Sequence, residues 1–207
     1  MPPRRYVYKL TTDNGGAPCV TGNLLSLAIC KPDIRRMAQV GDWIYGFGGR
    51  DLGARLIYIA NVTRRLERGS YYVDDSYGGR GDRIYRRTHG VYEIREGARY
   101  HEGGSELEHD LGKPPEYRSA VTILSANFRY LGKNGTSEYR DRIPELAKLL
   151  DELKRKHRVN HSGSVTEALE RLQESLWKAH PTSMVLGPPS ESDRNKVCNR
   201  GSAICEC

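Results

Sequence analysis

The chain has 207 residues, 37% of them hydrophobic, with 33 Lys and Arg against 26 Asp and Glu for a formal net charge of +7. That length supports one full-sized core or one core with a small appendage, and the sequence contains no apolar run long enough to cross a bilayer. A soluble, basic, globular protein is therefore expected, for which nucleic acid is an admissible partner and a membrane is not. Behind the cationic start Met1–Arg5 no apolar stretch follows, because Lys9, Asp13 and Gly15 interrupt it, so no signal peptide is expected. Five cysteines are an odd number at low density, which fits a reducing cytoplasm. Cys198, Cys205 and Cys207 crowd the tail and would need Cys19 or Cys30 to complete a four-thiolate site. They lack paired Cys-x-x-Cys spacing, so neither a metal nor another cofactor is expected.

In chain order, residues 4–11 read as a strand in which Tyr6, Tyr8 and Leu10 alternate with Arg5, Val7 and Lys9. Residues 12–22 form a loop whose Asp13, Asn14 and Gly15 supply turn chemistry, and residues 23–29 read as a strand or short buried element. Lys31, Arg35 and Arg36 then gather around a helix start, with Pro32 suited to its first turn and Asp33 favourable there. Gly41 and Asp42 turn the chain into a strand where Trp43, Tyr45 and Phe47 share one face. Aromatic faces beside clustered cations are suited to holding a flat anionic ligand such as a nucleotide.

Residues 55–66 are rich in β-branched and aromatic side chains and extend the sheet. The glycines at 46, 48, 49 and 53 do not open a helix after a strand, which rules out a dinucleotide fingerprint. Between Tyr71 and Tyr100, tyrosines including Tyr72, Tyr77, Tyr85 and Tyr92 interleave with Arg80, Arg83, Arg86 and Arg87, the pattern of a nucleic-acid surface. Residues 31–100 hold 14 basic and 9 acidic side chains, so most of the net charge lies near the aromatic strand. Residues 102–116 read as an exposed loop flanked by His101 and including His109, which offer a general base or solvent-exposed imidazoles. Residues 119–131 read as one central strand. An amphipathic helix is expected over 143–157 and a second over 165–179, the latter opened by a Ser164/Glu167 capping box. From Pro181 the chain lacks periodicity and is expected to lie extended.

The runs G-G-A-P-C (15–19), L-S-L-A-I-C-K-P-D-I-R-R (25–36) and G-D-W-I-Y-G-F (41–47) resemble the second type of nucleotide-modification-associated domain. The resemblance continues more faintly through 81–85 and 121–132, over about two-thirds of the chain. Members of that family are small prokaryotic and phage proteins grouped with systems that make, read or process modified DNA bases. Their fold is thought similar to PUA-like and EVE-like barrels.

The resemblance and the residues together imply an α+β chain: a PUA-like mixed β-barrel with peripheral short helices over 1–140, a two-helix C-terminal extension over 141–180, and an extended tail over 181–207. The favoured function is binding of a nucleotide or of a modified base in DNA, within a DNA-modification or phage-defence context. Trp43, Tyr45, Phe47 and Tyr85 would stack, Lys31, Arg35 and Arg36 would neutralise phosphates, and Asp13 or Asp42 would accept from the base edge. The alternative is an enzyme acting on a nucleotide, base or backbone with Asp13, Lys31, Asp42 and His101 as acid, base and charge-stabilising groups. A third reading, a protein-interaction module built on the C-terminal helices, has the least support. DNA is preferred to RNA as partner, and the oligomeric state stays open.

Overall fold

The computed structural model describes residues 2–101, 104–154, 156–182 and 184–191. In chain order the elements are β1 (Arg5–Leu10), β2 (Cys19–Thr21), β3 (Leu24–Leu27), α1 (Pro32–Met37), β4 (Trp43–Gly48), β5 (Leu56–Asn61), β6 (Arg64–Leu66) and α2 (Ser70–Val73). They continue as β7 (Tyr85–Thr88), β8 (Val91–Ile94), α3 (Gly104–Leu111), β9 (Thr122–Ser125), β10 (Asn127–Tyr130), α4 (Tyr139–Arg142), α5 (Pro144–Glu152), β11 (His157–Arg158) and α6 (Gly163–Ala179). The class is mixed α+β, as expected. Among the described residues no closed barrel is seen. The strands form a five-stranded sheet ordered β10-β5-β4-β1-β11, a four-stranded sheet ordered β2-β3-β9-β6, and the β7-β8 hairpin.

The aromatic strand β4 lies at the centre of the larger sheet, parallel to β1 and antiparallel to β5. The two larger sheets meet at a corner where two chain segments bend together. Residues 55–66, expected as one extended region, divide into β5 and β6, and residues 119–131 divide into β9 and β10 around Ala126. Thr63 fastens the corner, its amide donating to Leu124 O at 2.9 Å and its Oγ1 accepting from Ala126 N at 2.9 Å. Tyr6, Tyr8, Leu10, Leu25 and Leu27 fill the angle between these sheets.

Other departures from the sequence reading have local causes. The segment expected as an exposed loop contains α3, whose Asp110 and Leu111 are fully buried. Helix α5 stops at Glu152, and the chain returns as β11 to pair with β1, with Val7 opposite Arg158. Helix α6 begins before the Ser164/Glu167 pair. Ser162 is its N-cap, accepting from Val165 N at 3.4 Å. Residues 184–186 run beside β10: Tyr130 N donates to Met184 O and Leu186 N to Tyr130 O. Cys198, Cys205 and Cys207 lie outside the described residues. Among those described, no helix is long and apolar enough to cross a membrane, and no three or more His, Cys, Asp or Glu side chains are placed so as to hold a metal ion.

Gly46 shows how tightly the central sheet is closed. A Cβ there would run into the Tyr58 ring and approach Leu10 Cδ1 to 2.9 Å, whereas one at Gly79 would meet nothing within 4 Å. Gly46→Ala is expected to destabilise the fold by about 1–3 kcal/mol through overpacking, and Gly79→Ala by much less. Urea denaturation of the two variants side by side checks this, and equal midpoints would refute it.

Candidate functional site

Alternation correctly puts Trp43, Tyr45 and Phe47 on one face of β4, but the helical layer covers that face. Tyr45 and Phe47 are 0% exposed and pack with Leu146, Leu149, Leu150 and Leu169 from α5 and α6. Trp43 meets Trp177 edge-on with ring centroids 5.4 Å apart. These aromatics are core, because a sheet face backed by two amphipathic helices gains more from dry packing than from waiting for a ligand. The tyrosines of the 71–100 segment also turn inward: Tyr72, Tyr77, Tyr85 and Tyr92 belong to a second core.

Arg35 is a further correction. Its guanidinium is 0% exposed and serves the protein's own backbone, donating from Nε to Cys30 O at 2.6 Å, from Nη1 to Val121 O at 2.6 Å and Ser119 O at 2.8 Å, and from Nη2 to Asp110 O at 2.8 Å. It is thereby unavailable to phosphates. What it does is bind the turn at Cys30 to the C-terminal end of α3.

That tether brings together a connected polar cluster. Cys30 Sγ lies 3.4 Å from His101 Nε2, and His101 Nδ1 lies 2.8 Å from Asp110 Oδ2. The other Asp110 oxygen accepts from Cys30 N at 2.7 Å, and Tyr85 OH donates to Oδ2 at 2.8 Å. All four residues are nearly or fully buried. Burial alone would lower the His101 pKa, but the hydrogen bonds to Asp110 and Cys30 and the charges of both outweigh it and raise the value to about 10. Burial works in the opposite sense on Asp110, whose carboxyl is nonetheless held below its ordinary range by His101, Arg35 and Tyr85. A thiol, an imidazole and a carboxylate in series, with the carboxylate orienting the ring, form the arrangement that activates a nucleophile.

Cys30 and His101 border a shallow cleft whose enclosed, water-accessible interior is only about 30 Å³, the rest being an open mouth. Leu10, Ala17, Ile29 and Tyr100 supply an apolar wall, while Thr11, Thr12, Asn14 and Lys31 add polar groups. Apolar lining with a few placed polar groups is the usual make-up of a small-molecule site. Three non-glycine residues on its rim hold left-handed backbone: Cys30 at φ 56°, Lys31 at φ 45° and His101 at φ 57°. Each such conformation costs on the order of 1–2 kcal/mol for an L-residue, and strain of this kind gathers at functional sites.

Of the residues singled out from sequence, the structure brings Lys31, His101 and Tyr85 to this region, with Tyr85 behind Asp110 instead of stacking in the cleft. Asp13 lies in the adjoining loop, but its carboxylate accepts from Tyr130 OH at 2.6 Å and from Ser190 N and Oγ at 2.9 and 2.8 Å, which anchors the terminal segment. Asp42 is elsewhere. It accepts from Arg4 N at 2.8 Å, Arg4 Nη2 at 2.9 Å and Gln39 N at 2.8 Å, closing the turn before β4. Arg36 is exposed and paired with Asp33 at 2.6 Å. Two members of the cluster escaped sequence reasoning. Cys30 entered only as a thiolate that could complete a four-thiolate site, and Asp110 fell in the supposed loop, although Leu107 and Leu111, four residues apart, carried a helical signal.

Because the His101 pKa is raised above its ordinary 6.5, its stabilising contribution is complete below about pH 6.5 and is lost as pH climbs through about 10. An imidazole NMR titration should show His101 still protonated at neutral pH. Asp110→Asn should bring its titration down by one unit or more, on the order of the loss of a buried charged partner. A His101 resonance titrating near 6.5 in the unaltered protein would contradict this.

A family model for nucleotide modification associated domain 2 matches residues 2–196, well beyond the two-thirds suggested by the motifs. No curated protein matches the chain, and no solved structure does. With its sheets, helical layer and cleft all inside the matched span, the chain belongs to the nucleotide modification associated domain 2 family, which sets it in a nucleotide-modification context.

Proposed function

We propose that the protein is a cysteine-dependent enzyme that binds a nucleotide or a modified base of DNA in the cleft beside Cys30 and removes a substituent from it. The observation that carries this reading is the Cys30–His101–Asp110 series at the edge of the cleft, with Sγ 3.4 Å from Nε2 and Nδ1 2.8 Å from the carboxylate. A site for binding alone has no need of a buried thiol facing an imidazole whose proton is secured by a carboxylate. Base recognition is the first half of the same reading, with the ring laid across the open mouth against Tyr100 and the apolar wall, and Lys31 beside it. Kinship with PUA-like base-binding folds belongs to this proposal.

In the proposed reaction His101 Nε2 holds the proton taken from the Cys30 thiol, and Sγ, as the thiolate, bonds to an electrophilic carbon that carries a displaceable amine or acyl-linked group. The bond from that carbon to the leaving atom breaks, and the leaving atom departs with the proton from His101 Nε2. Water, deprotonated by the same imidazole, then attacks the carbon and releases the thiolate, so the net change is hydrolysis. Asp110 keeps Nδ1 protonated and Nε2 directed at the sulfur throughout. Tyr85 and Arg35 act through Asp110 and Cys30 as positioning residues.

The test is a mass-spectrometric product screen over canonical and 5- or N-substituted deoxynucleoside monophosphates, and over short DNA containing the same bases, with Cys30→Ala in parallel. Turnover on one substrate class, reduced by a factor on the order of 10³ or more in Cys30→Ala with binding retained, is the expected result. Binding without turnover by either protein would leave a reader of bases and remove the catalytic role.

A further inference from the structure

Beside the reacting cleft lies a second, roomier one of about 280 Å³, lined among others by Tyr8, Lys31, Asp33, His109, Lys156 and His157. Half of its lining residues are lysines or histidines. Asp33, its acidic lining residue, is engaged by Arg36 at 2.6 Å. The Lys31 ammonium stands over the Tyr8 ring, 5.4 Å from its centroid. The basic residues come from three separate parts of the chain: the strained Cys30–Lys31 turn, helix α3, and the segment 156–157 that β11 fixes against β1.

The two clefts share Lys31 and draw on adjacent backbone positions. Cys30 belongs to the reacting cluster and its neighbour Lys31 lines both clefts; Asp110 belongs to the cluster and its neighbour His109 lines the basic cleft. Successive Cα atoms are about 3.8 Å apart, so the cationic cleft begins within one residue of the thiol. The two lysines offer charge-assisted hydrogen bonds to phosphate oxygens, while His157, whose pKa burial holds below its ordinary value, donates as a neutral imidazole.

We infer that this second cleft is a phosphate subsite, so that the substrate is a phosphorylated nucleoside unit, as a free nucleotide or within a DNA strand, and not a free base or nucleoside. The inference rests on the cleft beside Cys30 being the place where the base reacts. It adds Lys156, His157 and His109 to the binding surface and gives Lys31 the role of bridging base and phosphate.

The first probe is inorganic phosphate, titrated calorimetrically at constant ionic strength over chloride, on the unaltered protein, the Lys31→Gln/Lys156→Gln double variant, Lys156→Gln alone and Cys30→Ser. Saturable binding that weakens roughly tenfold or more in the double variant, by an intermediate factor in Lys156→Gln, and survives in Cys30→Ser is expected. No saturable binding, or equal binding by the double variant, overturns the subsite. Lys156 is exposed, so its single variant reports even if Lys31→Gln perturbs the turn. A deoxynucleoside 5′-monophosphate and a short single-stranded oligonucleotide without terminal phosphates then compete against phosphate. Displacement by the first identifies a free nucleotide, by the second a backbone phosphate, and either supports the inference; displacement by neither sinks it. Phosphate binding is read without the thiol, so its loss with turnover intact removes the subsite alone, and its presence without turnover removes the reaction alone.

Discussion

Arg35 is buried without exposure and surrounded by carbonyl oxygens, and the arrangement of the rest of the site depends on how that charge is satisfied. A guanidinium removed from water is strongly destabilising unless its donors find acceptors. Here Cys30, Asp110, Ser119 and Val121 supply carbonyls, and the Asp110 carboxylate lies 3.6 Å away as counter-charge. Four backbone positions separated by up to 91 residues are held around one planar group. The planarity matters, because a lysine in the same place would offer a point charge without the fork of fixed donors.

From that constraint the candidate site follows. The carbonyl of Cys30 is fixed from one side by Arg35 and its amide from the other by Asp110 Oδ1 at 2.7 Å, which holds the turn in left-handed backbone through Lys31. The same grip sets the end of α3, and so the carboxylate that orients His101. Tyr85 completes the shell around Asp110 from the hairpin β7–β8. Local strain at Cys30, Lys31 and His101 is tolerated because hydrogen bonds from several elements overdetermine it.

A second buried network works in a similar way on the far side of the same core. Asp82 accepts from Ser26 Oγ and Tyr71 OH, each at 2.5 Å, and Arg80 Nη2 donates to Ser26 Oγ at 2.7 Å and Cys19 O at 2.9 Å. Burial pushes the Asp82 carboxyl up despite these partners. The network joins the 78–82 turn to the β2–β3 hairpin, so arginines that resemble a phosphate-seeking row in sequence are divided by the fold. Arg80 and Arg83 turn inward as ties, while Arg86 and Arg87 stay exposed on the hairpin.

The sequence by itself determined what depends on neighbours close in the chain. Alternation placed β1 and the shared face of Trp43, Tyr45 and Phe47; leucine spacing placed α5 and α6 within a few residues; the Gly41–Asp42 turn and the motif around Cys30–Arg36 carried the family. The tertiary structure alone decided which face of each element is covered. Period-two spacing is identical for an aromatic row that meets a ligand and one that meets two helices, so Tyr45 and Phe47 read as a platform and fold as core. It also decided which charges are spent internally, since nothing near Arg35 or Asp42 in sequence reveals the carbonyls and amides they meet across 38 to 86 residues. Above all it decided the candidate site: Cys30, His101 and Asp110 are separated by 71 and 9 residues, and only the closure of α3 onto the Arg35 tether brings sulfur, imidazole and carboxylate into contact.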